Sequence, residues 1–157
     1  MIVSSLFVTM PPAKPILVLQ WLRTPGLSAA REKASVILDE AEALLDPVSD
    51  IEDFMLACLV DASTGMVLAS RKDQNDISLP TAAAGAADIA NVLSQLTGEL
   101  PVDGLEDVMV TFRRQLYVIR MVSPEPQILL LVILDRDRVN LAMARREIRT
   151  FCASFAA

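Results

Sequence analysis

The sequence predicts an α+β sandwich, a five-stranded, mostly antiparallel sheet with helices on both faces. Three observations carry this. The apolar patterning runs in the order helix, hairpin, helix, hairpin, strand, helix. Consecutive hairpins build antiparallel pairs. The lone strand "QILLLVIL", from Gln127 to Leu134, is apolar on both faces, so something must cover it from two sides. A chain of 157 residues has the size of a single domain and needs no disulfide or metal to hold a core.

The first helix starts at Ser28, a good N-cap. Ala30, Ala34, Ile37, Leu38, Ala41, Leu44 and Leu45 recur three or four apart, with charged residues on the other faces. Pro47 disfavours helix at Asp46, so the helix should stop there. "FMLACLV", Phe54 to Val60, and "MVLAS" flank "DASTG". They read as a hairpin in which Gly65 supplies a positive φ. "RKDQNDIS" is a solvated loop. "LPTAAAGAADIANVLSQL", Leu79 to Leu96, is the second helix, capped by Ser78 or Asp76 and stopped by Gly98. Leu79, Ala82, Ala83, Ala86, Ile89, Ala90, Leu93 and Leu96 form its stripe. The run Ala82 to Ala87 makes it unusually thin. It either lies tight on its own sheet or also packs against a symmetry mate.

"DVMVTFRRQLYVIRMV" is the second hairpin, with Val108, Val110 and Phe112 alternating with Met109, Thr111 and Arg113 and a turn near Arg114-Gln115. "SPEP" connects it to the central strand. Asp135 or Asp137 then caps the last helix, whose stripe is Leu141, Ala144, Ile148, Phe151, Cys152 and Phe155. Arg138, Arg145, Arg146 and Arg149 lie mostly elsewhere. The whole is a sandwich of the profilin-like kind over residues 28–157.

Residues 1–27 stand apart. The segment is apolar but broken by Pro11, Pro12 and Pro15, lacks the leading basic residues of a signal peptide, and has no run long enough to span a bilayer. It reads as an arm packing on the domain or a dimer mate, a weak membrane-surface anchor, or an over-long gene start with the true start at Met10.

The composition excludes several chemistries. The net charge of -6 argues against a nucleic-acid surface. With no histidine there is no Ser-His-Asp or Cys-His catalysis and no histidine metal site. Cys58 and Cys152 are far apart in sequence and embedded in apolar segments. They read as buried thiols of a cytoplasmic protein. No glycine loop of the phosphate- or dinucleotide-binding kind occurs. No catalytic residue, cofactor or metal site is expected. The Asp135-Arg136-Asp137-Arg138 junction offers two carboxylates to a hard cation, yet capping and the helix dipole already account for them. Arg113-Arg114 at a hairpin tip reads as a solvated turn, with an arginine finger as the sharper alternative. Asp46, Asp50, Glu52 and Asp53 read as a charged loop.

The closing text "LLLVILDRDRVNLAMARREIR" resembles the roadblock / dynein light chain family, in which a hydrophobic strand runs into "LDR" and then helix text like "NLALAR". The hairpin "ACLVDASTGMVLAS" is similar to that family's first hairpin. The resemblance spans roughly Ala34 to Phe151. It implies a homodimer or heterodimer in which the second helices of two subunits pair and their third strands join edge to edge. Mapped here, Leu79, Ala82, Ala83, Ala86, Ile89, Ala90, Leu93, Val108, Val110 and Phe112 form the interface. It also implies a non-enzymatic adaptor or regulator beside a small Ras-like GTPase, activating or scaffolding it, with a sensor-kinase-like protein as a further partner. On this reading Ala86→Glu yields monomers or insoluble protein. A small-molecule sensor or structural scaffold of the same fold is the alternative. A cavity fit for a ligand would favour the sensor.

Overall fold

The computed structural model describes residues 40–73, 76–99, 105–124 and 127–156. The amino-terminal extension and the predicted first helix up to residue 39 lie outside them. Residues 40–43 are helical. They are followed by α1 (Asp46–Ser49), β1 (Phe54–Asp61), β2 (Val67–Lys72), α2 (Leu79–Glu99), β3 (Val108–Thr111), β4 (Gln115–Pro124), β5 (Gln127–Asp135) and α3 (Leu141–Ala156). The five strands form one sheet in the order β2-β1-β5-β4-β3, antiparallel at every pairing. The predicted sandwich is therefore the observed one.

The central strand explains the architecture. Every residue from Ile128 to Leu134 in β5 is fully buried. Successive side chains point to opposite faces. Ile128, Leu130, Val132 and Leu134 meet α1 and α3, together with Ala57, Leu59, Leu116, Val118 and the α3 residues Ala144, Ile148 and Phe151. Leu129, Leu131 and Ile133 meet α2, together with Leu56, Cys58, Val60 and the alanines Ala83, Ala86, Ala87 and Ala90. The two cysteines belong to different layers, Cys152 to the first and Cys58 to the second, so the sheet lies between them and both thiols are free. Burial pushes the Cys58 thiol up to about 12. It pushes Cys152 up to about 11, with Arg120 pulling the other way.

The first hairpin turns as its glycine requires. Gly65 has φ +73°, and its N–H donates to the Asp61 carbonyl at 2.7 Å. A Cβ there would meet the Ala84 Cα at 3.4 Å, so the turn also sits close to α2. The buried Asp61 carboxylate accepts the Ser63 N–H at 2.9 Å, and Asn91 of α2 donates to the Ala62 carbonyl at 3.0 Å. The hairpin is thus pinned to the helix that covers it.

Five details differ from expectation, the first being that β2 runs on through Arg71 and Lys72, which the sequence assigns to a solvated loop. The helix before Pro47 breaks after residue 43. Asp46 then opens a new turn, α1, in which Pro47 occupies an early position where its missing N–H costs nothing. Gly98 lies within α2, one residue before its end, instead of beyond it. The cap of α3 is neither Asp135 nor Asp137 but Asn140. Its side-chain oxygen accepts the Met143 N–H at 3.3 Å, and its carbonyl accepts the Ala144 N–H at 2.9 Å. Asp135 instead closes the preceding turn, accepting the Asp137 N–H on its carboxylate and the Val139 N–H on its carbonyl, each at 3.0 Å. Leu141, placed in the α3 stripe, is exposed because the helix begins beyond the edge of the core.

Candidate functional site

β3 is an edge strand. Among the described residues it pairs only with β4, from Val108 opposite Ile119 to Thr111 opposite Leu116. Its alternation places Val108 and Val110 on the α2 side, half-buried, and Met109 and Thr111 on the other, exposed. α2 lies mainly over β1, β2 and β5 and reaches the β3–β4 ribbon only around Ile119. A groove of about 390 Å³ therefore runs between helix and ribbon, with Ala82, Ala86, Ile89, Val110, Phe112 and Tyr117 among its walls. Phe112 closes one end, set edge-on against Tyr117 with ring centroids 4.9 Å apart. The Tyr117 hydroxyl contacts the Gln115 side-chain oxygen at 3.3 Å, and burial raises its pKa. An apolar groove beside a strand whose outer edge has no partner among the described residues is what a protein partner fills.

The structure sorts the ten sequence-predicted residues into three groups. Ala83, Ala86 and Ala90 are buried against the chain's own sheet. Leu79, Ala82, Ile89, Leu93, Val108 and Val110 are half-buried. Phe112 is 49% exposed. Sequence reading missed Val92, which is 65% exposed, and placed Leu96 in the buried stripe although it is 49% exposed. The signal for Val92 was its position off the three-four spacing, where a solvated helix would carry a polar residue.

A charged clamp fixes the start of β3. Arg145 of α3 grips both Asp107 carboxylate oxygens, at 2.9 and 3.2 Å. Arg120 of β4, largely covered by α3, reaches Glu106 at 3.3 Å and Asp107 at 3.7 Å, and Arg149 reaches Glu106 at 3.0 Å. The α3 arginines thus hold the edge strand down.

The Asp-Arg-Asp-Arg junction has similar internal employment. Arg138 pairs with Asp53 at 3.1 Å. Arg136 donates its N–H to the Arg114 carbonyl at 3.0 Å and its guanidinium to the Phe112 carbonyl at 3.2 Å. No group of three His, Cys, Asp or Glu side chains among the described residues could hold a metal ion. Beside the junction lies an open cleft of about 500 Å³. Most of its charged walls are engaged with the protein itself: Arg71 with Glu42 and Asp46, Lys72 with the Ile77 carbonyl, Asp53 with Arg138.

No family model and no curated protein matches the chain. Solved structures do. Myxococcus xanthus MglB is similar at 18% identity over 72% of this chain and 89% of that one, TM-score 0.64. A structure of MglB with a tetrameric arrangement is similar at 18% identity, 76% and 87% coverage, TM-score 0.66. A roadblock/LC7 domain from Streptomyces avermitilis is similar at 17% identity, 73% and 93% coverage, TM-score 0.63. The chain has the roadblock/LC7 fold. No helix among the described residues is long and apolar enough to cross a membrane.

Proposed function

We propose that this roadblock-fold chain is a non-enzymatic dimeric regulator of a small Ras-like GTPase. The observation that carries the reading is the coincidence, on one side of the molecule, of a strand edge with no partner among the described residues, an apolar groove and a helix with apolar outer residues. A second copy supplies what each of these lacks: a strand for β3 and an apolar helix surface for the groove. Because Ala83, Ala86 and Ala90 are committed to their own sheet, their part in the interface is to thin α2 so that a neighbour can approach. Leu79, Ala82, Ile89, Leu93, Val92 and Leu96 on the helix, and Val108, Val110 and Phe112 on the ribbon, make the contacts themselves. The chain has no histidine, which suits a protein that acts by binding.

Two measurements test this. Light scattering on the purified full chain at micromolar concentration should give at least the mass of a dimer. A monomer at high concentration removes the interface. Then a small Ras-like GTPase from the same genome is mixed with the chain, and binding and GTP hydrolysis are followed. A faster turnover marks an activator, and binding at unchanged turnover marks a scaffold. Absence of binding in either nucleotide state ends the GTPase reading.

A further inference from the structure

One end of the sheet is formed where β1 and β4 begin and β2, β3 and β5 finish. Charges without an opposite partner are separated along it, although exposed Lys72, bonded to the Ile77 carbonyl, lies on the acidic side and exposed Asp137 on the basic side. On the β2–β1 side, Asp50 and Glu52 stand exposed between α1 and β1, and Asp73 stands exposed just past β2. On the β4–β3 side, Arg113 and Arg114 stand exposed at the hairpin tip, and Arg136 is held behind them by its bonds to the Phe112 and Arg114 carbonyls. Among the described residues none of these six side chains has a partner of opposite charge. The Arg138–Asp53 pair between them is already neutralised, at 3.1 Å.

Distance explains why the two poles do not neutralise each other. β1 and β4 are two places apart in the sheet and β2 and β3 four places apart. At about 4.8 Å per strand those are gaps of about 10 and about 19 Å. They equal or exceed the Debye length of about 8 Å at physiological salt. The backbone of the hairpin tip is closed by the Phe112 N–H on the Gln115 carbonyl at 2.8 Å and buttressed by Arg136.

A positive and a negative pole side by side on one surface are self-complementary. A twofold axis through the middle of that surface sets each pole over the opposite pole of a second copy. We infer that this strand end takes a second copy of the chain through reciprocal pairing of Arg113, Arg114 and Arg136 with Asp50, Glu52 and Asp73. The contact does not use the apolar groove. It rests on the proposed dimer only for the number of chains: with that dimer it builds a tetramer, and without it a salt-sensitive dimer.

The test is the mass of the full chain by sedimentation velocity as salt rises from about 0.1 M to about 1 M, which shortens the Debye length from about 10 Å to about 3 Å. The expected result is a halving of the assembled mass. A mass independent of salt overturns the inference. The reciprocal variants Arg113→Glu/Arg114→Glu and Asp50→Arg/Glu52→Arg should each lose the salt-sensitive step and regain it when mixed. Loss without regain on mixing, with both variants folded by circular dichroism, also overturns it, and so does full assembly by either variant alone. Failure of the proposed groove interface looks different, because the salt-insensitive species at about 1 M is then a monomer.

Discussion

The two long helices cover opposite faces of the same sheet and do so by opposite means. α3 buries large side chains, with Ile148 at the centre and Phe151 and Phe155 edge-on at 5.0 Å, and turns Arg145, Arg146, Glu147 and Arg149 outward. α2 buries alanines and turns Val92 and Leu96 outward, with Asp88 and Glu99 as its only charges. A helix whose second face is water needs the first composition. α2 has the second, and its outer face is suited to protein. If α2 carries the proposed interface, its signal is a deficit of charge on the outside of the helix more than smallness on its inside.

The largest expected effect breaks the inner face of α2. Ala86 is 3% exposed and packed on the sheet. Ala86→Glu buries a carboxylate with no partner, at a cost of about 4 kcal/mol or more. The expectation from sequence was monomers or insoluble protein. The structure makes this a folding variant, so it should be insoluble or lack a cooperative melt, and a soluble folded monomer would falsify the packing of α2 described above. Next comes the inner face of α3. Ile148→Ala leaves a cavity beneath the helix and should cost about 3 kcal/mol, read from denaturant midpoints, with the oligomer otherwise intact.

How much of this was legible in the sequence follows from where each signal has its cause. β5 was readable because all its neighbours are in the same chain: seven apolar residues in succession have only one home, between two layers. The first hairpin is readable because its turn needs a positive φ, which Gly65 adopts without steric cost. The α3 cap was misread because Asp135, Asp137 and Asn140 are all capping residues. Only the backbone path shows that the strand needs its own turn before the helix can begin. The clamp on β3 was invisible, since Asp107 and Arg145 are 38 residues apart and nothing local couples them. At the candidate interface the alanine run announced a thin helix. It did not reveal which alanines the sheet consumes or that Val92 faces out.

The clamp offers a smaller break. Asp107 is nearly buried beneath Arg145 and Arg120. Asp107→Asn leaves Arg120 largely covered, with only Glu106 to balance it. Arg145 is partly exposed, so the loss should be about 2 kcal/mol, below the ~3–5 kcal/mol of a fully buried pair. Hydrogen exchange should locate it: amides of β3 exchange faster, while those of β5 keep the protection of the global fold. Uniform loss across the sheet would mean that the clamp holds α3 in place and not the edge strand.

The smallest effect on folding carries the most about function. Val92 is 65% exposed and belongs to neither core cluster. Val92→Glu should therefore change the stability of the folded protomer by no more than about 0.5 kcal/mol. In a dimer formed across the outer face of α2 it sets a carboxylate into an apolar contact, and association should weaken by at least tenfold, seen as a shift of the monomer–dimer midpoint in sedimentation equilibrium. Arg146→Glu is the matching change on the outer face of α3, where water is the expected neighbour, and it should leave both stability and association as they are. If the two variants behave alike, the difference in charge between the helices has no bearing on assembly, and the interface must be sought along β3 alone.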